Sequence, residues 1–458
     1  MVKIGLLGFY LELYDERSPG MREKIDAFYE KIAQEFEKRD ISVIRQKLCR
    51  IKSEFETAVE AFENTGADVI VTLHLAYSPS LESSEILKNT TLPIFILNTT
   101  PDNEFLVDDT YNGISYNHGI HGVQDMCNLL LRNNKDFIIE TGHWKYSDVI
   151  DRLCEKINSS IQIKPMTGLK VGIIGSPFDG MGDFAVDFAT LENTLGLKTI
   201  VCNYEELKTH INGVIEQDID REISENKAKY IVNIDNEDIY RSNIKTCIGV
   251  RKWIKANKLD AFTVNFLDVA SKNGLSSVPF YEASKQMAAG KGYAGEGDVM
   301  TAGLVSSLFK LGCETSFTEI FCPDWSQNAL FLSHMGEMNI NLCEEKPVLH
   351  EKDYIFSDVE VNPIVFSGEF QKGQAILVNL SPSAVGYTLI IAPIQMFNSD
   401  KVSNGVRGWF RPTMSAQKFL SEYSKLGGTH HSALVYGDHI ETLKNFGQSM
   451  NFKTIILE

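Results

Sequence analysis

The sequence predicts an α/β protein: two doubly wound parallel-sheet domains followed by a C-terminal antiparallel, β-barrel-like domain with helices. Three observations carry this. Short apolar runs alternate with stretches of helical periodicity from the start of the chain through Asn233, the pattern of parallel strands covered by helices. The alternation restarts at LKVGIIGSPF, after a segment holding Pro165 and Gly168. After Trp325 the helical spacing gives way to closely spaced β-rich runs. The expected domains are an N-terminal α/β domain over 1–165, a central α/β domain over 166–328 and a β-rich domain over 329–458.

Taken in order, Lys3–Phe9 is short and apolar and reads as a first strand. It reads better as a strand than as a signal peptide, because Glu12 and Asp15 interrupt the apolar run and no small-residue cleavage site follows. Met21–Lys38 carries Ile25, Phe28, Ile32 and Phe36 at helical spacing. Ile41–Ile44, a helix around Glu54–Asn64, Asp68–Leu73 and Pro93–Leu97 continue the alternation. Ligands meet such sheets at the carboxyl ends of their strands, here the loops His74–Ser80 and Asn98 onward. His118, His121 and Asp125 then precede an apolar helical run, where a helix N-terminus disfavours the protonated imidazole.

Ile161–Gly168 is the expected linker. Beyond it come a strand in LKVGIIGSPF, a helix at Phe184–Leu195, strands at Thr199–Cys202 and Tyr230–Asn233, and a strand at Ala261–Phe266. GIIGSPFDGMG is glycine-rich but does not match GxGxxG, so no nucleotide cofactor is expected. The β-rich runs are Ala329–Leu332, Pro363–Gly368, Gln374–Leu380 and Tyr387–Ala392, with a turn at Gln371–Gly373, a helix at Met414–Lys425 and a last strand at Thr454–Leu457.

Composition narrows the function. A chain of 458 residues with 43% hydrophobic and 23% charged residues is a globular protein of more than one core. Its net charge of −17 disfavours nucleic acid and anionic membrane surfaces as partners, and no run is long enough to span a bilayer. A neutral small molecule remains open. Eight cysteines without a CxxC or a regular framework read as reduced thiols of a cytoplasmic protein.

The chemistry centres on KGYAGEGDVMTAGL, Lys291–Leu304. Glycines on both sides of Glu296 let the backbone approach a ligand and present the carboxylate at a helix N-terminus. Glu319 in TSFTEIF, His334 in LSHMGE, and His430 with His431 in GGTHHSA are groups of the same kind. Two carboxylates with two imidazoles suit Mn²⁺, Co²⁺ or Mg²⁺, and the lack of thiolate disfavours a structural zinc site. Taken singly, each residue reads more readily as a surface glutamate or a satisfied core histidine than as a ligand.

In these motifs the sequence resembles the L-arabinose isomerase family, and more distantly the L-fucose isomerases. GYAGEGD, TSFTE, SHM and GGTHH stand in that family's order, and YSPS, TGHW, GMGDFAV and DAFTVNF look like further landmarks. The resemblance implies a divalent metal, Mn²⁺ first, held by Glu296, Glu319, His334 and His431. Glutamate at 319 favours the arabinose type, since fucose isomerases place an aspartate there. Glu296 and Glu319 would also be the acid/base pair.

Met181 and Phe266 would line the sugar pocket, and Asp298 and His430 would orient the ligands, with His430 also at the substrate. His121, placed before GHW like the family's HG histidine, would act catalytically in the site of a neighbouring subunit, which implies a homo-oligomer, in the family a hexamer. One signature departs. Where the family has a GSQxLYG-like segment, this chain reads GFYLELYDE, so Tyr10 and Glu12 stand near a missing sugar-contacting glutamine. The expected substrate is L-arabinose or a similar aldose such as D-galactose or L-fucose. The alternatives are a metal-dependent sugar aldolase or epimerase and a non-catalytic sugar-binding protein.

Overall fold

The computed structural model describes residues 2–18, 20–105, 111–162, 164–398 and 405–458. Its contacts divide the chain into two compact units, Met1–Gln162 and Ile163–Glu458. In the first, strands β1 (Lys3–Phe9), β2 (Ser42–Arg45), β3 (Val69–His74), β4 (Ile94–Asn98) and β5 (Phe137–Thr141) form one sheet in the order β2-β1-β3-β4-β5, parallel throughout. Successive strand residues point to opposite faces. Accordingly Ile4 and Leu6 join one apolar cluster and Leu7 and Phe9 another. Both faces are buried, which is why the strands read as unbroken apolar runs.

The second unit holds β6 (Lys170–Ile174), β7 (Lys198–Val201), β8 (Ile231–Asn233), β9 (Ala261–Val264) and β10 (Gly292–Gly295), then β11 (Glu314–Asp324), β12 (Ala329–Ser333), β13 (Val348–Glu351), β14 (Ile364–Glu369), β15 (Gly373–Ser383), β16 (Gly386–Phe397), β17 (Val406–Pro412), β18 (His431–Tyr436) and β19 (Lys453–Ile456). A four-stranded parallel sheet runs β10-β9-β6-β7. Strands β16, β15, β18, β11, β12 and β17 pair antiparallel in that order, and β17 pairs back to β16, closing a six-stranded barrel. The α/β class with a C-terminal antiparallel barrel is thus as the sequence predicts.

Several local expectations shift. The strand expected at Tyr230–Asn233 forms as β8 but leaves the parallel sheet, pairing with β13 at the end of the barrel sheet. The barrel also takes in β11, upstream of Trp325. The helix expected from Phe184 starts at Phe188, because the Asp187 side chain accepts from Thr190 N and caps it there. The helix Val149–Gln162 runs into the expected linker, of which Ile163 lies outside the described residues. Barrel strands β15 and β16 are longer than expected because both faces are buried. Ala375 and Leu377 enter one cluster, and Ile376 and Val378 the other.

All eight cysteines are free. No helix among the described residues is long and apolar enough to cross a membrane.

Candidate metal centre

Strand β10 delivers Glu296 at its carboxyl end, and the helix Val299–Lys310 begins after it. Glu296 itself takes φ +60° and Gly297 φ +80°. A left-handed glutamate costs about 1 kcal/mol, a strain that persists only where surroundings hold it. Here Phe178 N donates to Glu296 O at 3.0 Å, and Thr263 Oγ1 donates to Gly295 O at 3.1 Å. A side chain at Gly297 would strike the Ser176 carbonyl oxygen at 2.5 Å, so the glycine after Glu296 is needed for space as well as for conformation.

The barrel supplies the rest. Register puts Glu319 of β11 opposite His431 of β18 on one side and Ser333 of β12 on the other, and His334 follows directly. His334 lies over Gly295, where a Cβ would sit 3.0 Å from its Cε1. As a result Glu319 Oε1 is 2.9 Å from His431 Nε2 and 3.2 Å from His334 Nε2, and Glu296 Oε2 is 3.5 Å from Nε2 of both His430 and His431.

Each imidazole is oriented from behind by a carboxylate. Asp298 accepts from Thr301 N at 2.8 Å to cap the helix, and with its other oxygen holds His431 Nδ1 at 2.9 Å. Glu337 holds His334 Nδ1 at 2.6 Å and accepts from Tyr293 Oη at 2.9 Å. Asp183 holds His430 Nδ1 at 2.6 Å and accepts from its backbone N at 2.9 Å. A carboxylate only accepts, so Nδ1 carries the proton and Nε2 of each ring is left to face Glu296 or Glu319.

A divalent cation fits this arrangement. His431 Nε2 is buried and makes no hydrogen bond to either neighbouring carboxylate. In the neutral ring it is a lone pair facing anionic oxygens, which either a proton or a metal ion relieves. One ligand atom each from Glu296, Glu319, His430 and His431 lie within 4.8 Å of one another.

Without an ion, protons take that part. Burial opposes charge on His334, but Glu337 and Glu319 outweigh it and raise its pKa to about 10. His430 goes to about 9 against its burial, chiefly through Asp183, and His431 is also raised against its burial, through Asp298, Glu296 and Glu319. Burial resists charge on Glu296, yet His430 and His431 bring it down to about 2. Glu319 is likewise lowered, by His334 and then His431.

Two predictions follow from this pairing. Asp298→Asn still caps the helix but no longer fixes His431 with a charge, and is expected to weaken Mn²⁺ binding by about 10- to 100-fold, read by calorimetric titration. Because the ion-free imidazoles hold protons at neutral pH, ion uptake must displace them. Mn²⁺ binding is therefore expected to release protons at pH 7.5 and to weaken as pH falls, measured by titration in buffers of different ionisation enthalpy.

The structure thus gathers Glu296, Glu319, His334, His430 and His431 in the second unit. Met181 and Phe266 are in that unit too, half-buried against its core, and Phe266 packs on Phe178 at 5.7 Å. His121, Tyr10 and Glu12 belong to the first unit. His121 is exposed in the first turn of the helix Gly119–Arg132, its ring 4.5 Å from that of His118. His118 is lowered in pKa as expected, but the cause is burial, then His121. Tyr10 is buried in the core with Arg22 over its ring at 5.2 Å, and Glu12 is exposed ahead of the short helix Leu13–Arg17.

Asp183 and Glu337 were not singled out by the sequence. Glu337 could have been, from its His-x-x-Glu spacing to His334. Asp183 carries no such signal, standing 247 positions from His430.

The model of the L-arabinose isomerase central domain matches residues 181–313, and that of the L-arabinose isomerase C-terminal domain matches residues 314–453. The chain belongs to the L-arabinose isomerase family. Membership makes it an isomerase-class enzyme. Relatives within the L-arabinose isomerase family include L-arabinose isomerase 1 of Clostridium acetobutylicum, 25% identical over 74% of this chain and 71% of that protein. The L-arabinose isomerase of Shouchella clausii is 22% identical over 98% of this chain and 92% of that protein. A galactofuranose binding protein of known structure aligns at 14% identity over 68% of this chain and 88% of its own, with a TM-score of 0.16, too low to carry an argument.

Proposed function

We propose that the protein is a divalent-metal-dependent aldose–ketose isomerase acting on L-arabinose or a similar aldose such as D-galactose or L-fucose, with Mn²⁺ as its ion. The observation that carries this is the gathering of ligand atoms from Glu296, Glu319, His430 and His431 within 4.8 Å of one another, with His334 Nε2 3.2 Å from Glu319 Oε1 and a carboxylate behind each imidazole. Glu296, Glu319, His334 and His431 hold the ion in this reading. His334 is preferred to His430 because it is buried and tied to fully buried Glu337, whereas His430 is 38% exposed at its side chain and suits contact with substrate. When bound, the ion supplies Lewis-acid polarisation of neighbouring sugar oxygens, worth several kcal/mol of barrier.

Isomerisation removes the weakly acidic hydrogen at C2, passes through an enediol and returns a proton to C1. Glu296 and Glu319 are the groups placed to move that proton, a contribution on the order of 10²–10⁴-fold. Their low pKa keeps them ionised and ready to accept it, although a carboxylate held so low is a weak base until the imidazoles facing it are engaged elsewhere. Half-buried Met181 and Phe266 give the apolar wall of the sugar pocket.

We also assign His121 to the site of a neighbouring subunit of a homo-oligomer, a hexamer by family resemblance, working in the cytoplasm, and keep Tyr10 and Glu12 as substrate-binding candidates beside the missing glutamine. The three-domain division at 165 and 328 belongs to the same proposal.

The test is turnover by metal-stripped protein, with and without Mn²⁺, on a panel of free aldoses, following ketose and exchange of the C2 hydrogen with solvent. Metal-dependent ketose from one sugar supports the reading and names the substrate. Cleavage products or an epimer in place of ketose would move the protein to the aldolase or epimerase alternative.

A further inference from the structure

Tyr354 lies in the loop between β13 and β14 and is 6% exposed, yet its Oη is buried without a hydrogen-bond partner among the described residues. Among the described residues, every ring packed on it is a phenylalanine: Phe356 at 5.4 Å, Phe280 at 5.5 Å and Phe266 at 6.2 Å. Packing alone would be served better by phenylalanine here, since a buried hydroxyl left unpaired costs stability. The nearby Ser357 hydroxyl spends its proton on the Phe266 carbonyl oxygen at 2.5 Å, which leaves it only the role of acceptor toward Oη, and no hydrogen bond joins the two.

The position is fixed and borders the candidate centre. Tyr354 N donates to Asn362 Oδ1 at 3.3 Å, and Lys352 Nζ donates to the carbonyl of Met335, the residue after His334. Further along, Ser271 N donates to Asp358 O, and Glu360 N and Val361 N to Ser276 O. Phe266, against which the phenol stands edge-on, continues through Phe178 to the backbone of Glu296. Burial, then the charges of Glu337 and Glu296, push the phenol's ionisation up, so it keeps its proton at any working pH.

We propose that Tyr354 is a specificity residue whose Oη donates a hydrogen bond to one hydroxyl of the bound aldose and so helps decide which sugar the site prefers. This rests on the sugar-isomerase reading. A site that hydrogen-bonds a substrate hydroxyl rejects analogues that lack or misplace it, and here the partner that Oη lacks within the protein is the ligand.

The experiment is calorimetric titration of Mn²⁺-loaded wild type and Tyr354→Phe with a panel of epimeric pentoses, hexoses and their deoxy analogues, with ketose assayed in the same samples. The variant is expected to bind the wild type's best sugar about 10- to 100-fold more weakly, with less discrimination against one deoxy analogue. Its thermal unfolding without sugar should be unchanged or higher, because only an unpaired hydroxyl is removed. Equal affinity and selectivity in the two proteins would overturn the proposal, as would a lowered unfolding temperature with unaltered sugar binding, or a wild type that binds none of the sugars. Sugar bound by the wild type and weakened in the variant, but with no ketose formed, would leave Tyr354 in place and sink the isomerase reading instead.

Discussion

Glu319→Gln is expected to lower turnover by on the order of 10³-fold or more while the protein stays folded. Glu319 Oε1 is the point on which His334 and His431 both converge, and Glu319 is only 12% exposed at its side chain. An amide of the same shape keeps the packing but removes the negative charge, offers a single acceptor, and turns N–H groups toward two imidazoles. The change strikes ion retention and proton transfer together, so the loss should appear in kcat, in bound Mn²⁺ and in C2-hydrogen exchange alike.

Circular dichroism and the unfolding temperature separate this from misfolding. Some stability should be lost, because the folded pKa of Glu319 is depressed. The stability it contributes is present above the unfolded carboxylate range and fades only as pH falls below it. Full turnover in the variant would remove Glu319 from the site.

The parallel sheets were legible because their strands are buried on both faces and read as apolar runs, and Glu296 because two glycines bracket it. The barrel-like domain was legible from its closely spaced β-rich runs, but its pairing order was not. Its closure rests on β16 pairing with β17 and on register between β11 and β18, and no local pattern encodes either. Of the site, the glutamates and histidines stood out by type and by family motif. Their supports did so only where chain spacing was short. Asp298 stands two residues from Glu296 within the same motif and Glu337 three residues from His334, whereas Asp183 reaches His430 through tertiary structure alone. Tyr354 escaped because nothing in KDYIFSD distinguishes a tyrosine with an unpaired hydroxyl from one whose hydroxyl reaches solvent.

Arg251→Met is expected to destabilise the second unit by about 3 kcal/mol, the low end of the ~3–5 kcal/mol for breaking a buried ion pair, because the Arg251 side chain is 32% exposed. Arg251, on the helix Glu237–Ala256, donates to both oxygens of Glu222 at 2.9 Å and both oxygens of Glu282 at 2.8 Å, clamping the helices Glu216–Lys229 and Phe280–Ala288 to its own. Glu222 retains Lys285 Nζ at 3.3 Å and Tyr281 Oη at 2.6 Å. Glu282, at 0% exposure, keeps among the described residues only Gln286 Nε2 as a hydrogen-bond donor.

The penalty of Arg251→Met therefore comes from an uncompensated Glu282 charge, and adding Glu282→Gln should recover part of the loss, not deepen it. The pH responses should also differ in sign. Burial opposes charge on Glu222, but Arg251 outweighs it and holds its carboxyl at about 2, so in the wild type this contribution is complete above the ordinary carboxylate pKa and is lost as pH falls toward 2. Burial already raises Glu282 in the wild type against the pull of Arg251, and removing the arginine should raise it further, so the variant should gain more stability than the wild type as pH falls from 7 toward 5 and the carboxylate takes up its proton. Urea unfolding read by Trp253, buried on the same helix, measures both. A double variant less stable than Arg251→Met alone would mean that the arginine acts through packing of its stem and not through the charges it neutralises.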